Sequence, residues 1–221
     1  MLGLLLPQRC LLCGEAGAQL CPSCRRALPA LTPPLCARCG APTTWPVARC
    51  RECGGRRLAF VTARAAVAYD DDVRRIVAGW KEHGLRRLAE ATASTIAERL
   101  PRPEADVLTF VPPDRGRRLL RGYHPAEQLA RALARLWSLP CEPLLRRSGP
   151  SRRQQGLPLA ERRRNVAGAF AALAAVDGRA ILVDDVYTTG STVHAAAAAL
   201  AVSVDVVTFA RAVRSLGLGP A

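Results

Sequence analysis

Lysine is nearly missing from this sequence. Of 32 basic residues, 31 are arginine, and Lys81 stands alone. Aromatic residues make up only 5% of the chain, so a core must be built from Ala, Val and Leu rather than from stacked rings. No apolar run approaches the roughly 20 residues that span a bilayer, so no transmembrane segment is expected. The opening MLGLLLP has neither a basic n-region nor a small-residue cleavage site. It does not read as a secretory signal, and the expected compartment is the cytoplasm. Acids are scarce too, 18 against 32 cations, which leaves a net charge of +14.

That charge lies in blocks. Residues 1–57 hold eight arginines against two acids, and residues 115–164 hold thirteen against three, whereas 58–114 and 165–221 are each close to neutral. Blocks of this kind suit an anionic partner: a phosphorylated small molecule, nucleic acid or an acidic membrane surface. The alternative is a solvated basic surface in an arginine-biased chain. With 221 residues, 49% of them hydrophobic, there is room for one full domain and a small second module.

Eight of the nine cysteines form four C-x2-C pairs: Cys10/Cys13, Cys21/Cys24, Cys36/Cys39 and Cys50/Cys53. Two-residue spacing lets both thiolates of a turn face one ion, and four thiolates close a tetrahedral zinc site with no open position, a structural metal. Two structural zinc ions would take all eight. Consecutive pairing gives Cys10, Cys13, Cys21 and Cys24 in one site and Cys36, Cys39, Cys50 and Cys53 in the other; interleaved pairing is the alternative. The segment has few apolar residues of its own, so metal must supply its folding energy, on the order of 10 kcal/mol per site. A disulfide scaffold would need an oxidising compartment, and an iron–sulfur cluster is a further alternative. Cys141, alone and apolar-flanked, reads as a small buried residue. The division expected is a zinc-ribbon module over 1–57 and an α/β domain over 58–221.

After a linker at 54–61, strands and helices alternate. Strands are expected at 63–69, 106–111, 141–145, 179–185 and 204–211, and helices at 71–84, 85–100, 124–139 and 191–202, from their apolar spacing. The alternation argues for a parallel sheet with helices on both faces. In such sheets ligands sit beyond the carboxyl ends of the strands.

One of those ends reads ILVDDVYTTGST, residues 181–192. The amides around Gly190, the hydroxyls of Thr188, Thr189, Ser191 and Thr192, and the positive end of the following helix can wrap an anion. There is no GKS or GKT, so this is not a Walker A loop. Asp184 and Asp185 would repel that anion but suit vicinal hydroxyls a few ångströms away. A sugar with a phosphate at one end and two free hydroxyls meets both requirements.

This stretch resembles the 5-phosphoribosyl-1-pyrophosphate motif of type I phosphoribosyltransferases. The likeness implies that Asp184 and Asp185 hold the ribose hydroxyls and that residues 188–192 hold the 5-phosphate. In members acting on purines an aspartate often stands at the position of Thr188; here no general base for a purine nitrogen is offered. The order of cysteine pairs, Lys81-x-x-Gly84, VPP with an arginine cluster and RGYHPAEQLA, RRQQGLPLAERRRNVAGAF and the ribose-phosphate motif is similar to the ComF family across nearly the whole chain. The family pattern R-G-F-N-Q-A is here Arg121, Gly122, Tyr123, His124, Pro125 and Ala126, and Lys81 is followed by Glu82 instead of tyrosine.

The resemblance implies a type I phosphoribosyltransferase-like fold, with Mg²⁺ accompanying 5-phosphoribosyl-1-pyrophosphate. Arg115 and Arg121 are then candidates for the pyrophosphate loop, since a guanidinium is a planar fork suited to phosphate oxygens; Arg117 and Arg118 fit solvent equally well. Lys81, near a helix end, would neutralise the diphosphate from the opposite side. The polar stretch 146–157 reads as a lid in which Arg152, Arg153 and Gln155 close on pyrophosphate or reach a nucleic-acid strand. Two functions are consistent with this: a ComF-type role in DNA uptake, with single-stranded DNA and other competence proteins as partners, or a glycosyltransferase moving phosphoribose to a base, with no DNA role.

Overall fold

The computed structural model describes residues 8–113, 122–148 and 168–213. Arg115, Arg121, Arg152 and Arg153 lie outside the described residues, as do Arg117, Arg118, Gln155 and most of the expected lid.

Four strands form one parallel sheet in the order β1 (Thr62–Ala68), β6 (Ser203–Arg211), β5 (Arg179–Tyr187), β2 (Val107–Phe110). Helices α2 (Asp71–Lys81), α3 (Leu88–Arg99) and α4 (Pro125–Trp137) follow β1 and β2; α5 (Ser191–Leu200) joins β5 to β6; α1 (Pro22–Ala27) belongs to the cysteine segment. The starts of these helices have local causes. Asp70 caps α2 by accepting from the Val73 amide at 2.8 Å, with Asp71 and Asp72 in the positive first turn. Pro125 occupies the first turn of α4, where its missing N–H costs nothing.

β5 runs on through both aspartates to Tyr187, beyond the strand expected at 179–185, because β6 is equally long and pairs Asp184 with Thr208 and Tyr187 with Arg211. β2 stops sooner: Phe110 lies opposite Val183, and the Val111 amide donates to the Val183 carbonyl at 3.0 Å. The carboxylates therefore stand past the end of the edge strand. The strand expected at 141–145 is displaced. Cys141 makes a single parallel bridge to Leu108, and the strand proper, β3 (Leu145–Arg147), pairs antiparallel with β4 (Phe170–Ala172), which has no clear signal in the sequence. Cys141 is half-buried, and burial pushes its thiol up to about 11.

Alternation along the strands sends side chains to two cores. Ile181, Val183, Val207 and Phe209 pack with α2, α3 and α4; Leu182, Val204 and Val206 pack with α5, β3 and β4. The cysteine segment straddles the sheet at its β1 edge. Cys10, Leu20, Cys21 and Leu28 join the first core, and Cys36, Cys39, Cys53, Leu58 and Phe60 join the second. The expected linker at 54–61 is thus corrected: Leu58 and Phe60 are buried. Gly40 shows how close the approach is. Its φ is +69°, and a Cβ there would meet the Ala63 carbonyl of β1 at 2.5 Å. Arg99 of α3 holds the other half, donating to the carbonyls of Leu28, Arg25 and Arg26 around the end of α1.

Candidate anion and sugar site beyond the sheet

The thiols gather in two groups: Cys10, Cys13, Cys21 and Cys24; and Cys36, Cys39, Cys50 and Cys53. Pairing is therefore consecutive. A tetrahedron with Zn–S bonds of about 2.3 Å has edges of about 3.8 Å. The sulfur separations are 3.7 Å for Cys13–Cys21, 3.6 Å for Cys36–Cys53, 3.5 Å for Cys39–Cys50 and 3.9 Å for Cys50–Cys53. These distances suit a metal tetrahedron and are far too long for a disulfide of about 2.05 Å. Backbone amides favour thiolate: those of Cys21 and Cys50 donate to Cys10 and Cys36 at 3.4 and 3.3 Å. Burial opposes ionisation of both thiols, yet amide donors outweigh it and bring Cys10 to about 6 and Cys36 to about 7. The two groups fit two structural zinc ions.

At the carboxyl end of the sheet, Lys81 reaches Asp185, with 2.5 Å between Nζ and Oδ2. The last turn of α2 puts it there, and the Tyr123 hydroxyl, donating to the Trp80 carbonyl, ties that turn to the approach to α4. His124 stands at the N-cap of α4, its ring 5.6 Å from that of Phe110 at the end of β2. Part of Asp184 remains accessible, but its carboxyl group is enclosed. Burial, then the charge of Asp185, pushes it up to about 7, against the lowering pull of Lys81, the Asp185 amide and Arg147. Asp184 is thus poised near neutrality, able to hold or release a proton.

The loop Thr188–Thr192 follows directly. Gly190 has φ +72° and leads into α5 with no side-chain cap. The Thr189 and Ser191 hydroxyls are 2.9 Å apart, and Thr188 is exposed. Tyr187 lies buried under the loop, so close to Gly190 that a Cβ there would collide with the phenol. Glycine is required on two counts, backbone angle and space.

Several residues at this site escape sequence reasoning. Arg147, on β3, lies over the Phe170 ring at 5.2 Å and lowers Asp184. Arg56, from the expected linker, donates to the Thr189 carbonyl at 2.8 Å. Arg211 lies over Tyr187 at 4.4 Å while donating to the Cys39 carbonyl at 2.7 Å and to Glu52 at 2.6 Å. Each partner is distant in sequence, and an arginine-rich chain offers no local mark to single these three out. Of the predicted site residues, Lys81, Asp184, Asp185 and the 188–192 loop converge; the predicted arginines fall outside the described residues.

Some solved structures overlap part of the chain. Glutamine phosphoribosylpyrophosphate amidotransferase from B. subtilis, complexed with ADP and GMP, shares 21% identity at a TM-score of 0.36, covering 55% of this chain and 26% of that one. A structure described as the allosteric regulatory enzyme of purine biosynthesis shares 22% at 0.33, covering 53% and 25%. Adenine phosphoribosyltransferase from Leishmania tarentolae shares 16% at 0.31, covering 63% and 75%. The chain therefore spans about a quarter of the length of the first two. Overlaps this loose say nothing of the site. Among curated proteins none matches the chain. Residues 1–55 match the family model described as a double zinc ribbon domain, in agreement with two tetracysteine groups of zinc dimensions: the N-terminal part is a cysteine-rich, zinc-ribbon-like module.

Proposed function

We propose that the chain is a phosphoribosyltransferase-type protein that binds 5-phosphoribosyl-1-pyrophosphate beyond the carboxyl ends of β5 and β6. One observation carries the reading: adjacent carboxylates, an uncapped helix start and a glycine bend follow one another at the open end of a buried parallel strand, with Lys81 across from them. The amides and hydroxyls of Thr188–Thr192 take the 5-phosphate, Asp184 and Asp185 the ribose hydroxyls. Lys81 exchanges Asp185 for the diphosphate, joined by Arg115, Arg121, Arg152 and Arg153. The hard carboxylate oxygens of Asp184 and Asp185 would suit Mg²⁺. Bound there, the ion would neutralise charge building on a leaving pyrophosphate. The carboxylate pair then faces the positive charge developing at the sugar carbon.

Isothermal titration with the diphosphate and Mg²⁺ tests this. Micromolar binding to the wild type, lost in Asp184→Asn/Asp185→Asn, is expected; equal binding by the double variant refutes it.

A DNA-related role of ComF type is a second reading, favoured by Trp45. It is 66% exposed in the loop between Cys39 and Cys50, close in sequence to exposed Arg49 and Arg51, whereas Trp80 and Trp137 are buried. An exposed indole among arginines suits base stacking on single-stranded DNA. Such binding should weaken steeply with salt and fall in Trp45→Ala and in Arg152→Ala/Arg153→Ala. Unchanged affinity in both variants removes the reading.

A further inference from the structure

The second cysteine group meets the sheet beside the anion loop. Arg56, three residues after Cys53, donates to the Thr189 carbonyl at 2.8 Å. Its own backbone is held on both sides: its amide donates to the Cys53 carbonyl at 3.3 Å, and Arg49 donates to its carbonyl at 3.0 Å. The following segment is pinned as well, the Ala59 amide donating to His194 Nδ1 on α5 at 3.0 Å. From the other side, Arg211 links Cys39 and Glu52 to the ring of Tyr187, which bears on Gly190.

We propose that Arg56, delivered by the second cysteine knuckle, is a positioning residue for the phosphate-binding loop. The inference rests on the sugar-phosphate reading above. A peptide unit is planar and trans, so its C=O and the next N–H point to opposite sides. Holding the Thr189 oxygen toward Arg56 turns the Gly190 N–H the other way, into the cradle. The guanidinium also brings a fixed positive charge to the back of the loop. Its field is already felt next door: burial first, and Arg56 second, lower the basicity of His194. The knuckle is therefore one wall of the site.

The test compares Arg56→Ala and Arg56→Gln with the wild-type full chain by titration of ribose 5-phosphate and, separately, of inorganic pyrophosphate. Ribose 5-phosphate probes the loop; pyrophosphate probes the opposite end. Arg56→Ala should weaken ribose 5-phosphate about ten-fold, leave pyrophosphate within about two-fold, and keep both zinc ions by metal analysis. Arg56→Gln, which retains a donor without charge, should recover part of the loss. Unchanged ribose 5-phosphate affinity in Arg56→Ala, or an equal loss for both ligands, overturns the proposal. A wild type that binds neither ligand instead defeats the sugar-phosphate reading beneath it.

Discussion

Lys81 and Asp185 form an ion pair at the mouth of the sheet, Nζ to Oδ2 2.5 Å, with the lysine side chain 29% and the carboxylate 13% exposed. The only lysine in the chain thus stands against the second of two adjacent acids. Without it, Asp184 and Asp185 would face each other's charge with less relief. Lys81→Met should cost about 1 kcal/mol of stability, and it should weaken diphosphate binding about 10- to 100-fold through loss of a charge-assisted contact. Urea denaturation and titration calorimetry measure the two effects. A variant that binds as tightly as the wild type would remove Lys81 from the site.

Asp184 should be a residue whose removal stabilises the fold while abolishing binding. Its carboxyl, raised to about 7 from 3.8, holds a proton in the folded chain that the unfolded chain has released. The contribution is complete below about pH 3.8 and is lost as pH rises through about 7. Asp184→Asn should therefore gain on the order of 1 kcal/mol at neutral pH, about 2–4 °C in Tm. The gain should shrink toward about pH 4. Thermal melts of both proteins across that range check the sign; a variant less stable at pH 8 than the wild type contradicts it.

His194 works in the opposite direction. Burial, then the charge of Arg56, depresses its basicity, and Nδ1 must stay unprotonated to accept from the Ala59 amide. Below the ordinary value near 6.5 the unfolded chain takes up the proton first, so stability falls as pH drops through that region. His194→Gln, whose amide oxygen can still accept, should be less sensitive to acid there, as read by melts at two pH values.

Arg211 is 1% exposed and holds Cys39, Glu52 and Tyr187 together. Arg211→Met should cost about 2–4 kcal/mol, because Glu52 and the Cys39 carbonyl lose their donor in a half-closed space. Arg211→Lys should recover little, lacking the planar fork that meets all three. Denaturant midpoints decide this.

Metal analysis of the intact protein should give two zinc ions per chain. Cys36→Ser should lose one of them and weaken ribose 5-phosphate binding, whereas Cys10→Ser should lose the other with a smaller effect on the ligand. The difference follows from position: only the second group touches Arg211 and leads to Arg56. Equal ligand losses from the two variants would argue for general destabilisation.

Signals that lie within a few residues could be read directly from the chain. The C-x2-C pairs announced thiolate ligands, Pro125 announced a helix start, and ILVDDVYTTGST held strand, acids, bend and helix start in one contiguous run, so loop and carboxylates were recognisable before any fold. β3 and β4 were not, because three-residue strands gain their meaning from a partner across a long polar stretch. Residues 54–61 looked like a linker because Leu58 and Phe60 find their neighbours only on the far side of the sheet. Residue type and spacing fix local conformation and ligand chemistry. Which arginine among 31 meets Thr189 or Tyr187, or brings its charge near Asp184, is decided by segments far apart in the chain, and these come together only once the strands have assembled.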